Sequence, residues 1–132
     1  MSDPSNVPIP EGPAGILLSR DLIFTSKVTG TASALGHRVI VVGDVARASA
    51  MLGLWRPVVV FVDLAAGDLV APASIVQYRE TVGPGTPFVA FGSHVDAQAL
   101  AEAAAAGCDP VLPRSRFTAE LPALVRRYFG EG

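Results

Sequence analysis

The sequence predicts an α/β fold: three layers, with a doubly wound five-stranded parallel sheet between helices. Three observations predict it. The runs 38-RVIVV-42, 57-PVVVFVD-63 and 87-PFVAF-91 are continuously apolar, as strands buried on both faces are. Strand-like and helix-like segments alternate along the chain, the pattern of βαβ units. The chain has 132 residues, half of them hydrophobic, enough for one domain with a real core. Right-handed crossovers leave few topologies, and strand order 2-1-3-4-5 is the one favoured.

Residues 1–13 carry Pro4, Pro8, Pro10 and Pro13 and little apolar mass, and read as a flexible tail before a single domain over 14–130. The first strand is 15-GILLS-19. The first helix, 21-DLIFTSKVTGTASALG-36, is capped by Asp21 and ended by Gly36, with Leu22, Val28, Ala32 and Leu35 on its buried face. Strand 38–42 follows, then helix 44-DVARASAMLGL-54, capped by Asp44. Trp55 marks a core edge before the strongest strand, 57–63. Pro72 opens the third helix, 72-PASIVQYRET-81. After the 83-GPGT-86 turn and strand 87–91 comes 94-HVDAQALAEAAAAG-107, alanine-rich and ended by Gly107. There Ser93 and Asp96 resemble a capping box, with His94 exposed in the first turn. The last strand is 110-PVLP-113. The final helix places Leu121, Leu124, Val125 and Tyr128 at core spacing. Pro122 is tolerable only near a first turn, so this helix should begin near Thr118–Leu121.

The net charge of −2 argues against nucleic acid and against a basic membrane-surface patch. One cysteine, Cys108, forbids an intrachain disulfide and suits the cytoplasm; it reads as a small buried residue. The N-terminus shows no signal-peptide pattern, and no apolar run reaches the ~18 residues of a membrane span. A mean hydropathy of +0.44 suggests that some apolar surface is covered by a partner or a second copy.

In an open α/β sheet, ligands sit beyond the carboxyl ends of the strands. The residues expected on that rim are Ser19, Arg20 and Asp21 after strand 1, and Asp63 after strand 3. Gly92, Ser93 and His94 follow strand 4, and Arg114, Ser115 and Arg116 follow strand 5. The loop 113-PRSRF-117 could hold an anion through its two arginines, or be a solvated loop whose Arg114 pairs with Asp63 or Asp109; Phe117 reads as a core anchor. His37 has no expected role.

Three stretches resemble the receiver domain of response regulators, the flavodoxin-like module of two-component phosphorelay signalling. They are 56-RPVVVFVDL-64, similar to that family's third strand, 86-TPFVAF-91, similar to its fourth, and 101-AEAAAAGCDPVLPRS-115, similar to its "A-x-x-x-G-A-x-x-x-L-x-K-P". The resemblance implies that Asp63 stands at the phosphoacceptor position. It also implies departures. The acidic pair that would hold magnesium falls on Ser19 and Arg20, with Asp21 one place later. The strand-4 hydroxyl falls on Gly92, with Ser93 one place late. The strand-5 lysine falls on Arg114 and the following proline on Ser115. Arg20 could then pair with Asp63 in place of a metal.

The resulting expectation is a stand-alone, degenerate receiver-like module (a pseudo-receiver). It would not be an enzyme and would need no cofactor. It would act by protein–protein interaction or self-association, through the helix 4–strand 5–helix 5 face and Arg126, Tyr128 and Phe129. One alternative is a phosphorylatable receiver using Asp63, with magnesium held by Asp63 and Asp21. Another is a small anion- or nucleotide-binding protein using Arg20, Ser93, Arg114 and Arg116, although no glycine-rich phosphate loop is present. A hydrolase is set aside, because no G-x-S-x-G turn occurs.

Overall fold

Five short, largely apolar runs pair side by side, and the helices between them cover both faces. The computed structural model describes residues 9–130, so most of the expected N-terminal tail lies outside the described residues. The strands are β1 (Ala14–Leu18), β2 (Arg38–Val42), β3 (Val60–Asp63), β4 (Phe88–Gly92) and β5 (Val111–Pro113). The helices are α1 (Leu22–Ala34), α2 (Val45–Leu54), α3 (Pro72–Val82), α4 (Ala97–Ala105) and α5 (Arg114–Phe129). A 3-10 turn, Gly67–Val70, precedes α3. All pairings are parallel, in order β2-β1-β3-β4-β5.

The alternation of strand side chains divides the core in two. Ile16, Leu18, Val60, Val62 and Ala90 face α2, α3 and α4, where Met51, Ile75 and Tyr78 are buried. Leu17, Val59, Phe61, Val89 and Phe91 face α1 and α5, against Phe24, Val28, Phe117 and Leu121. Asp63 continues the Val59–Phe61 series, so its carboxylate belongs to the α1–α5 side. The ring of Phe117 stacks on Phe91 at 4.0 Å between centroids, which bears out its role as an anchor. Trp55 packs half-buried at the edge of the other core, and Cys108 is buried and free.

Asp21 and Asp44 cap α1 and α2 through bonds from Phe24 N–H and Arg47 N–H. Gly36 and Gly107 take positive φ (82° and 109°) just past α1 and α4, a conformation costly for a residue with a Cβ.

Four expectations need correction. Leu22 is 83% exposed, not on the buried face of α1. It lies six residues before Val28, about 600° around the helix, whereas Phe24 at four residues falls in line. Residues 57–59 precede β3 proper, although Val58 N–H and Val59 C=O already bond to β1. Asp96 alone caps α4, accepting from Ala99 N–H, so α4 starts three residues later than the capping-box reading. The helix α5 starts at Arg114, directly after β5, and carries Pro122 in its interior. That proline is on the exposed face, where water can serve the Thr118 carbonyl that it leaves without a donor.

Candidate functional site

The carboxyl ends of β1, β3 and β5 bring Ser19, Asp63 and Arg114 together. Asp63 ends a fully buried strand and is itself 1% exposed. A carboxylate there must have its lone pairs occupied. Its Oδ2 accepts from Ser19 Oγ at 2.7 Å; its Oδ1 accepts from Arg114 Nη2 at 2.9 Å and from Ala65 N–H at 3.0 Å. Ser19 is equally buried, and its hydroxyl oxygen accepts from Asp21 N–H at 3.2 Å.

Arg114 is the pivot of this network. The start of α5 immediately after β5 aims its side chain back across the sheet edge. Nη2 bonds Asp63, while Nη1 stands 3.9 Å from Asp21 Oδ2. The guanidinium therefore bridges the two carboxylates at this edge. Its carbon lies 4.6 Å from the Phe24 ring centroid and 5.6 Å from that of Phe91, so aromatic faces support the charge from the core side.

Arg20 does not reach Asp63. It turns the other way, to Asp68 at 2.7 Å, and donates to the carbonyls of Gly43 and Ala66. The bond from Arg20 and its charge hold the Asp68 carboxyl below the ordinary carboxylate value. The cation expected beside Asp63 is thus supplied by β5–α5, not by β1–α1. Ser19 and Arg20, consecutive after β1, point to different partners, Asp63 and Asp68.

Gly92 is the last residue of β4, where the sequence reading placed it just beyond the strand. A Cβ built there would lie 3.2 Å from both Cβ and Cδ1 of Leu64, so Leu64 occupies the space a strand-4 hydroxyl residue would need. Ser93 is exposed, and its hydroxyl accepts weakly from Val95 N–H. Arg116 pairs with Glu120 one turn along α5 and stays away from Asp63. Phe129 stacks its ring on His37, before β2, so Arg126, Tyr128 and Phe129 sit at the opposite end of the sheet from Asp63. Tyr128 and Phe129 pack against the core, leaving Arg126 exposed. Sequence reasoning did not find Asp68, Leu64 or the Phe24–Phe91 cradle. Asp68 stands only five residues after Asp63, but its partner Arg20 is 48 residues away.

Among the described residues, no cluster of three or more His, Cys, Asp or Glu is arranged to hold a metal ion. Asp63 and Asp21 are the carboxylates at this edge, and the Arg114 guanidinium contacts both.

Solved structures align over nearly the whole chain. The receiver domain of the sensor histidine kinase PA1611 from Pseudomonas aeruginosa, solved with magnesium in its active-site cleft, matches with TM-score 0.76 at 20% identity. The match covers 91% of this chain and 99% of that one. This is the receiver fold. A response regulator from Thermotoga maritima matches with TM-score 0.73 at 20% identity, covering 90% and 98% of the two chains. A Burkholderia pseudomallei response regulator solved with a phosphorylated aspartic acid and calcium matches at 0.72 and 14% identity, covering 89% and 66%. No protein-family model and no curated protein sequence matches. At these identities the receiver likeness establishes the fold and strand order. No described helix is long and apolar enough to cross a membrane.

Proposed function

We propose that this receiver-fold chain is a signalling module that works through protein–protein contact, without efficient phosphoryl transfer at Asp63. One observation carries the reading: both oxygens of a buried Asp63 are engaged, one by an arginine that spans to Asp21. A phosphoacceptor must present a free oxygen in line with the donor. It also needs positive charge that follows the transferring phosphoryl group, a role metal ions fill well. Magnesium favours near-octahedral oxygen donors, usually with carboxylates among them. Here the donor set does not fit. Ser19 is neutral, Arg20 is a cation committed to Asp68, and Asp21 caps α1 with Oδ1 while its Oδ2 faces Arg114. A fixed guanidinium satisfies Asp63 in the resting fold and removes the need for a metal.

The reading of the rim as an anion or nucleotide site loses support for the same reason. Arg20, Arg114 and Arg116 are each paired with a carboxylate. The phosphorylatable alternative keeps one supporting observation: Asp63 ends β3, where the receiver resemblance implies the phosphoacceptor, and one structural neighbour was solved with a phosphorylated aspartic acid.

The test is intact-mass measurement after incubation with acetyl phosphate and magnesium, alongside beryllofluoride binding by fluorine NMR. The expected result is no phosphoryl increment and no bound fluoride signal. An increment that disappears in Asp63→Asn would overturn the proposal.

A further inference from the structure

The sheet ends in two unlike edges. At one edge, β5 is three residues long and closes on Pro113. The Pro110 carbonyl accepts from Ala90 N–H, so alternation turns Val111 and Pro113 outward, and Pro113 has no N–H to offer. At the other edge, β2 is five residues long, RVIVV, without proline, glycine or lysine. The Val42 carbonyl accepts from Ser19 N–H, so Ile40 and Val42 serve β1, and the N–H and C=O groups of Val39 and Val41 point away from the sheet. No other described residue bonds to them. A β-branched strand with such a row of unpaired groups is a template for another strand. Val41 is also 38% exposed, an apolar side chain at the middle of this edge.

Both flanks of the edge can be read from the helices. Phe24 touches Phe91 and Phe117, which marks the side of α1 turned toward α5. At about 100° per residue, Leu22, Thr25 and Thr29 fall on the opposite side, beside β2, while Lys27 falls on the Phe24 side. This flank is uncharged and carries the exposed Leu22. On the other face, Val45 and Ser49 of α2 line a hollow shared with α3, so Arg47 and Leu54 take the side beside β2. Arg38 and Asp44 stand on that same face, exposed, at opposite ends of the strand. Arg38 forms no ion pair among the described residues, and Asp44 uses Oδ2 for the Arg47 N–H.

We propose that two copies of this chain pair antiparallel through β2, joining their sheets into one. About a two-fold axis at Ile40, Val39 lies opposite the second copy's Val41, and the two exchange both main-chain bonds. Arg38 then faces the second copy's Val42, with its Asp44 two residues on, within diagonal reach of a long side chain. A cation and a carboxylate at opposite ends of one strand are thereby brought together twice, which favours a second copy over an unrelated strand. Arg47, the other charge on this flank, lies one turn into α2 beyond Asp44, so the seam needs the Asp44 carboxylate to receive Arg38. The inference rests on the protein-contact part of the reading above and uses neither Asp63 nor Arg114.

The test is sedimentation velocity of the full chain over a concentration series, with amide hydrogen exchange followed by NMR. The expected result is a dimer that grows with concentration, with the Val39 and Val41 amides becoming protected in step with it. Val41→Pro removes an outward N–H and no bond to β1, and should weaken the dimer about tenfold or more. Asp44→Asn keeps a competent helix cap but removes the charge that meets Arg38, and should also weaken it. A monomer up to about 1 mM, a dimer that leaves both valine amides unprotected, or an unchanged Kd in both variants would each refute the β2 seam. A phosphoryl increment on Asp63 would overturn the preceding proposal without altering these readouts, so the two can fail separately.

Discussion

Arg114 shows how much one side chain can decide at the edge of a sheet. Its guanidinium is one-third exposed, but Asp63 beneath it is buried, and truncation would leave that carboxylate with only Ser19 and Ala65 N–H. Losing one partner of a buried ion pair is expensive because the remaining charge stays in a poorly hydrated place. We expect Arg114→Ala to lower unfolding stability by on the order of 3 kcal/mol. Asp63→Asn/Arg114→Ala should recover part of that loss, as a coupled pair does. Urea unfolding of the two single variants and the double variant checks this, and additive losses would show the pair to be uncoupled. At this scale the sequence was only half legible. Asp63, Ser19 and Arg114 were all placed on the rim, since strand ends are readable from apolar runs. The choice of Arg114 over Arg20 as the partner was not readable. It depends on the side to which Arg20 turns and on α5 starting directly after β5, both set by tertiary packing.

Among the elements, α5 is where local propensity and tertiary structure disagree. Pro122 argues for a short helix, yet α5 runs from Arg114 to Phe129 because Phe117, Leu121, Leu124 and Val125 all bury against the sheet. Packing along four turns outweighs one missing hydrogen bond. Pro122→Ala, at an exposed site, should therefore stabilise the protein, by about 1–3 kcal/mol, with a raised Tm as the readout. An unchanged or lowered Tm would contradict this. The strands posed no such conflict. Continuous apolar runs, punctuated by Gly and Pro, identified all five and their parallel pairing. Asp21 and Asp44 likewise mark their helix starts, because a capping carboxylate acts within three residues. The α4 start was misread because Ser93 and Asp96 are both competent caps, and only the three-dimensional path of the loop chooses between them.

For the whole molecule, alkaline pH is the informative perturbation. Burial pushes the Cys108 thiol up to about 11. The Tyr78 hydroxyl, which donates to the Leu69 carbonyl at 2.7 Å, is pushed up to about 12, mainly by burial and then by Asp68 and Asp44. The ordinary values are 9.0 and 10.0. Between the ordinary and raised values the unfolded chain gives up protons that the folded chain keeps. The unfolded state then binds fewer protons, and stability falls as pH rises. The contribution is intact below pH 9, declines first through Cys108 and then through Tyr78, and levels off above the folded values. Denaturant titrations at stepped pH should show this fall. Tyr78→Phe should remove the part beginning near pH 10 while costing about 1 kcal/mol at neutral pH for the lost hydrogen bond. A flat profile up to pH 11 would contradict both assignments. Arg20 carries a different implication at this scale. Through Gly43, Ala66 and Asp68 it fastens the connections that follow three separate strands. The upper surface should accordingly open to hydrogen exchange as one cooperative unit, with no single loop fraying ahead of its neighbours.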